Sequence, residues 1–230
     1  MIFGKIDYLN LLPFHIFLKK YSLPSYVKKT IEFKKGVPSL LNRALYNRKI
    51  DAAVISSIES RRSKYKKLNM GIVAKTSVKS VLVRKNSTPK LDSASMTSNM
   101  LARVLDKKGE VIIGDRALKH YLNEGKDKFY DLGEIWHQKT NLPFVFAVFC
   151  YTNSGESYKK LVNKFLQKNI KIPSYILNKY AKTRGISSDD IKWYLKFISY
   201  KIGQKESLAL NLYIRKARQL NFNPNTKENT

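Results

Sequence analysis

The chain has 230 residues, 43% of them hydrophobic and only 10 of them glycine, enough to bury a sizeable core in one large domain or two small ones and unlike a disordered or fibrous chain. The longest apolar run, LPFVFAVFCY at 142–151, contains a proline and falls well short of the ~20 residues of a membrane-spanning helix, so it reads as a buried strand. The net charge of +27 invites a nucleic-acid reading, but Lys supplies 34 of the 44 basic residues and they are scattered in pairs such as those at 19, 28, 34, 66, 107 and 159. A nucleic-acid binder more often concentrates Arg and Lys with aromatics on one face or in a tail, so lysine-biased filling of solvated positions is preferred, with capture of a small polyanion, ahead of RNA or a membrane surface, as the functional alternative.

In chain order, MIFGKIDYL reads as a first strand, and Pro13 sits where a helix through FHIFLKKY begins. YVKKTIEF alternates like a strand, and Pro38 opens a helix carrying Leu40, Leu41, Ala44 and Leu45. DAAVISS is a compact buried strand, followed by the extended pieces GIVAKT and SVKSVLVRK. SNMLARVL is a helix after a Ser/Thr cluster, EVIIG a strand, DRALKHYL a helix and FYDLG a short extended segment before LPFVFAVFC. The rest is helical in period: Tyr158 to Leu166, Pro173 to Lys182, Asp189 to Ile202 and Leu208 to Leu220, with a capping-box pattern at Ser187 and Asp190. The tail FNPNTKENT is polar and is expected to be disordered.

The N-terminus reads as a strand, without the basic flank, apolar core and cleavage site of an export signal, and with the single cysteine this makes a cytoplasmic location the expectation. Cys150 lies inside the apolar run, a poor setting for a nucleophilic thiolate.

Two long extended segments, near 78–85 and 143–151, bracket a middle block of the chain. A chain that leaves one α/β domain, builds a second and returns needs two such crossings. The expected architecture is therefore α/β and two-lobed, with 1–78 plus 152–230 forming a larger lobe whose C-terminal part is helical, 79–151 a smaller lobe, and a ligand cleft between them. Four strand-to-helix junctions end in small polar groups: Asn10; Ser56 and Ser57; Ser95, Thr97 and Ser98; and Gly114 with Asp115. Helix N-termini with hydroxyl donors suit carboxylates or phosphates, although the same residues serve as ordinary caps.

Catalytic constellations are scarce. No metal-ligand spacing, nucleophile elbow, dinucleotide fingerprint or Walker loop is present, and His15, His120 and His137 are widely separated. Among the acids, Asp7, Asp51, Glu59 and Asp131 lie at element ends without forming a compelling acid/base pair. From the residues alone the chain is a two-lobed binder of a small anion.

The stretches GKIDYLNLLPF, DAAVISSIES, SVKSVLV, TSNMLARVL, IIGDRAL, DLGEIWHQKTNLPFVFAVF and ISSDDIKWYLKFISY resemble, in order and spacing over roughly residues 2–218, the chorismate dehydratases of the futalosine route to menaquinone. The resemblance implies a type 2 periplasmic-binding-protein fold, a cytoplasmic enzyme without metal or organic cofactor, and a dianionic small-molecule substrate, chorismate, rather than nucleic acid or membrane. It implies polar active-site positions at Asn10 and Ser80, and substrate-binding positions at Ser56, Ser57, Thr97, Ser98, Thr140 and Phe144. Departures from the family pattern occur at Asn141, where glycine is usual, at Ser60, and at Thr76 and Ser77.

The implied reaction removes water from chorismate to give 3-[(1-carboxyvinyl)oxy]benzoate, driven by formation of an aromatic ring. The protein then has to supply orientation, shielding and dipoles aimed at developing charge. With no convincing side-chain base, the substrate's own side-chain carboxylate is the expected proton acceptor, held with the leaving hydroxyl by Asn10 and Ser80. The alternatives are a 1,4-dihydroxy-6-naphthoate synthase-like enzyme of the same pathway, whose IHE-like histidine setting the WHQ at 136–138 does not match, and a non-catalytic solute-binding protein.

Overall fold

A computed structural model describes residues 2–20, 34–153 and 155–220. The described chain forms two sheets. The larger has β1 (Phe3–Gly4), β2 (Ala52–Ser56), β3 (Lys66–Ala74), β7 (Phe144–Tyr151) and β8 (Ile198–Lys201) in the order β1-β2-β7-β3-β8. The smaller has β4 (Val81–Arg84), β5 (Val111–Ile113) and β6 (Phe129–Asp131) in the order β5-β4-β6, with both pairings antiparallel.

Helices cover these sheets: α1 (Leu12–Lys20), α2 (Pro38–Tyr46), α3 (Met96–Val104), α4 (Gly114–Glu124), α5 (Leu132–Thr140), α6 (Gly155–Leu166), α7 (Ser174–Arg184), α8 (Ser188–Leu195) and α9 (Gln204–Gln219). Local chemistry accounts for several starts. Pro38 follows extended Val37 at the head of α2, and Ser95, Asp131 and Ser187 each accept a backbone N–H of the helix they precede.

The register explains the apolar runs. β2 pairs parallel with β1 (Phe3 opposite Ala52) and antiparallel with β7 (Val54 opposite Phe149), and β7 pairs antiparallel with β3 (Ile72 opposite Ala147). Flanked by partners and covered on both faces, β2 is wholly buried and β7 is buried up to Tyr151, so neither needs an alternating pattern. An aromatic cluster fills the space beneath α1 and α6: Phe3 stacks on Phe149 at 5.5 Å, and Phe14 meets Phe165 edge-on at 4.9 Å. Cys150, the next residue along β7 and so on the other face of the sheet, is fully buried, and burial pushes its thiol pKa up, which disfavours the thiolate.

Three expectations change. The lobe boundary at 151 lies too far along the chain, because β7 is an inner strand of the larger sheet and the return crossing comes before Phe144. GEIWHQKT, which the local pattern leaves unassigned, lies in α5, started by the Asp131 cap and anchored by buried Trp136, whose indole N–H donates to the Pro143 carbonyl at 3.0 Å. Asp189 to Ile202 is not one helix: α8 ends at Leu195, and Ile198–Lys201 pairs along β3 instead. The ladder of the first strand is confined to Phe3–Gly4, with Lys5 making an isolated bridge to Lys35. The strand expected at YVKKTIEF and the FNPNTKENT tail lie outside the described residues.

No helix among the described residues is long and apolar enough to cross a membrane.

Candidate functional site

The turn at Leu9–Leu11, the end of β2, the segment preceding β4, the start of α3 and the start of α4 converge on one cavity of about 50 Å³ between the two sheets. Its polar lining comes from Asn10, Ser56, Ser80, Ser95, Ser98 and the Tyr8 and Gly114 region, with Phe146 and Ile72 among the apolar walls. Three of these segments end at helix starts, where unpaired N–H groups carry partial positive charge.

Asn10 was open to reading as a helix cap. Its side-chain Oδ1 is buried without a hydrogen-bond partner, so it caps nothing, while its backbone carbonyl accepts the Tyr200 hydroxyl at 2.7 Å. A buried, unsatisfied amide oxygen costs free energy and is retained only where something else requires it.

Ser80 is 1% exposed, and its hydroxyl lies 2.8 Å from that of Tyr194, from α8. Burial pushes the Tyr194 phenol pKa up, opposed by hydrogen bonds from the Ser80 and Asn10 side chains, so it is a neutral hydroxyl at working pH. Tyr8 is shifted in the same direction, to about 12, by burial and by the nearby Asp92 and Asp115 carboxylates. Across the cavity, Gly114 donates its N–H to the Ser80 carbonyl at 2.8 Å. Gly114 has φ +66, and an added Cβ would stand 3.0 Å from the Tyr8 ring, so both backbone and space call for glycine.

The remaining expected positions divide. Ser56 and Ser98 line the cavity, with Ser56 Oγ accepting from Asn42 Nδ2 at 2.8 Å and Ser98 Oγ 2.8 Å from Ser95 Oγ. Ser57, Thr97, Thr140 and Phe144 are not part of its lining. The Ser57 hydroxyl donates to the Val145 carbonyl, and Thr97 Oγ1 accepts the Ile58 N–H at 3.3 Å. Thr140 Oγ1 closes the end of α5 by donating to the Trp136 carbonyl and accepting the Leu142 N–H. Phe144 packs behind the site against Trp136, Tyr213 and Phe146. Phe146, two residues along the same strand face, is the one that reaches the cavity.

Sequence reasoning missed Tyr194, Tyr200 and Tyr8, because a tyrosine in an amphipathic helix or strand reads as core until its hydroxyl, for Tyr194 and Tyr200, or its ring, for Tyr8, is seen to meet a distant residue. Asn141, a departure from the family pattern, takes a left-handed φ of 54 at the end of α5, a conformation that glycine prefers and asparagine tolerates. His137 sits in the last turn of α5 with Nδ1 3.3 Å from the Leu142 carbonyl and does not line the cavity.

Among the described residues lining this cavity there is no carboxylate, imidazole, amine or thiol. What the arrangement can do is orient a ligand with neutral donors and acceptors in a largely buried space. A larger groove of about 660 Å³, beside α6, α8 and β8, is lined by apolar residues, lysines, Asn169, Ser199 and Tyr200; it takes in none of the polar positions expected from the sequence, so the smaller cavity is the better candidate for chemistry.

The family described as menaquinone biosynthesis matches residues 1–111 and 93–219. A chorismate dehydratase of Campylobacter jejuni is 54% identical over 96% of this chain and 100% of its own length. A chorismate dehydratase of Thermus thermophilus is 25% identical over 92% of this chain and 93% of its own. Among solved structures, an Archaeoglobus fulgidus protein superposes with a TM-score of 0.68 at 15% identity, covering 95% of this chain and 97% of its own. The periplasmic aliphatic sulphonate binding protein of Escherichia coli superposes at 0.60 and 14% identity, covering 97% and 94%. A Candida albicans protein described as having the generic periplasmic binding protein fold does so at 0.55 and 12%, covering 97% and 91%. The fold is thus the mixed α/β, periplasmic-binding-protein-like fold expected from the sequence. Matched along nearly its whole length, the chain belongs to the menaquinone-biosynthesis family, with the curated chorismate dehydratases as its relatives.

Proposed function

We propose that this protein is a chorismate dehydratase, a hydro-lyase that converts chorismate to 3-[(1-carboxyvinyl)oxy]benzoate and water. The observation that carries the reading is the near-full-length match to the Campylobacter jejuni enzyme of that name. The chemistry of the cavity agrees with it. Chorismate is a cyclohexadiene with two carboxylates, and losing water makes its ring aromatic, so a site of neutral hydroxyls, an amide and helix N-termini has enough to offer.

In the proposed course, the substrate's side-chain carboxylate takes the ring proton from the carbon bearing the ether. The electron pair moves through the ring double bond onto the ring carboxylate, where hydroxyl and backbone donors stabilise it. The pair then returns as the ring hydroxyl leaves, taking up the transferred proton and departing as water. Asn10 and Ser80 hold the side-chain carboxylate and the leaving hydroxyl in register, and Ser56 and Ser98 face the remaining charge. Thr97, Ser57, Thr140 and Phe144 act behind the site, as supports for its walls.

A cavity of about 50 Å³ is far smaller than the roughly 300 Å³ or more of small-molecule sites, so the two sheets separate to admit substrate and product. The reaction is placed in the cytoplasm, without a cofactor, as the first step of futalosine-dependent menaquinone synthesis.

Purified protein mixed with chorismate should generate the ultraviolet absorbance of a substituted benzoate together with loss of chorismate. Absence of an aromatic product, with tight binding of some other solute, would make the protein a receptor instead.

A further inference from the structure

The carboxylate of Asp131, at the end of β6, is 6% exposed and gathers donors from two separate stretches of chain. Oδ1 accepts the amides of Gly133 at 3.0 Å and Glu134 at 3.1 Å, an ordinary cap for α5. The other contacts are not explained by capping. Oδ2 accepts the amide of Lys79 at 2.9 Å, the Val78 amide lies 3.2 and 3.1 Å from the two oxygens, and the Lys79 ammonium stands 3.7 Å from Oδ2.

Val78 and Lys79 belong to the crossing between β3 and β4, and Ser80 follows at once. Lys79 has φ 60, a left-handed conformation that costs a residue with a Cβ about 1 kcal/mol or more. Such a backbone persists only where its surroundings over-determine it, and here one buried carboxylate satisfies both consecutive amides. The Lys79 ammonium adds a second hold, 3.6 Å from Glu134 and over the rings of Tyr121 and Phe197 at 5.1 and 5.4 Å.

We propose that Asp131 is a positioning residue for the reaction: it locks the left-handed turn at Val78–Lys79 and thereby fixes where the Ser80 hydroxyl stands against Tyr194 and the cavity. The proposal rests on the cavity being the site of chorismate dehydration. It assigns Asp131 no contact with substrate, which distinguishes it from Ser80 itself.

Asp131→Asn separates the two duties, since asparagine caps a helix as well as aspartate does but turns an N–H₂ toward the Lys79 amide and ammonium. Asp131→Ser, a short capping residue that falls short of Val78, serves if the first variant folds poorly. Expected for either is a drop in kcat of about 10- to 100-fold, with the chorismate Kd within about 3-fold of the parent value. Amide hydrogen exchange should accelerate at Val78 and Lys79 while Gly133 and Glu134 stay protected. Parental kcat in a folded variant, or equal loss of protection at all four amides, would overturn the proposal, as would rapid exchange of Val78 and Lys79 in the unaltered protein. If the unaltered protein makes no aromatic product, the dehydratase reading fails by itself, and the exchange pattern still decides whether Asp131 holds this turn.

Discussion

The hydroxyl of Ser80 meets that of Tyr194 at 2.8 Å, across 114 residues of chain. One comes from the crossing between the sheets and the other from α8, so the contact forms only when the C-terminal helices dock against the cavity. If this pair and Asn10 orient the substrate, Ser80→Ala and Asn10→Ala should each lower kcat by about 10²-fold or more, the effect of removing one aimed donor. Tyr194→Phe should cost less, about 10-fold, because Ser80 remains but is no longer steered. His137→Ala should leave turnover unchanged. Steady-state absorbance assays check all four, and a dead His137→Ala beside an active Asn10→Ala would require a side-chain base.

At the cavity edge, Arg184 bridges the two sheets. Its Nε donates to Asp115 at 3.1 Å and its Nη2 to the Asp7 carbonyl at 2.9 Å and carboxylate at 3.1 Å, while Asp115 also accepts the Leu9 amide at 2.9 Å. Burial raises the Asp115 pKa even with these partners, so removing the guanidinium leaves a costly carboxylate behind. Arg184→Ala should lower unfolding stability by about 1–3 kcal/mol in urea titrations and weaken chorismate binding. Unchanged stability would mean that water replaces the guanidinium without loss.

Gly114→Ala places a Cβ against the Tyr8 ring at a position of φ +66. The expected cost exceeds about 1 kcal/mol, measurable as a fall in the urea midpoint, with reduced kcat because Gly114 also holds the Ser80 carbonyl. A variant with parental stability and rate would show that the start of α4 shifts freely.

The Glu124 carboxyl is lowered from 4.5 to about 2, chiefly by its hydrogen bond from Arg84, with His120 adding to it. Because the folded pKa is depressed, its contribution to stability is fully present above pH 4.5 and is lost as pH falls toward 2. The stability difference between the parent and Glu124→Gln should therefore be constant at neutral pH and shrink through that window. Denaturation at a series of pH values checks it, and a difference that persists at pH 2 would contradict the pairing.

If the charge of +27 helps to capture a dianion, chorismate association should slow steeply as salt is raised beyond the ~0.1 M at which the Debye length is about 10 Å, with turnover at saturation unchanged. Stopped-flow binding at several ionic strengths reads this, and a flat salt profile would leave the lysines as solvated filler.

Local pattern was enough to locate most elements here. DAAVIS and LPFVFAVFC announce buried strands by apolar continuity, Pro38 and Ser95 mark helix starts, and the quoted motifs indicate the family. Such signals depend on neighbours within a turn or two of chain, which the sequence displays directly. Which polar residues share a cavity depends instead on how distant segments dock, and there the sequence was silent. Thr97 and Ser98 are adjacent, yet one hydroxyl is taken up by the Ile58 amide and the other faces the cavity. Phe144 and Phe146 lie on the same strand face, yet only Phe146 lines the cavity. Ile198–Lys201 carries a helical period and becomes a strand because the free edge of β3 offers it hydrogen bonds. The sequence by itself determined most of the element types, the family and the supply of neutral polar groups at strand ends. The tertiary structure decided which of those groups meet, since hydroxyls and amides are assigned partners by packing over long chain separations rather than by local preference.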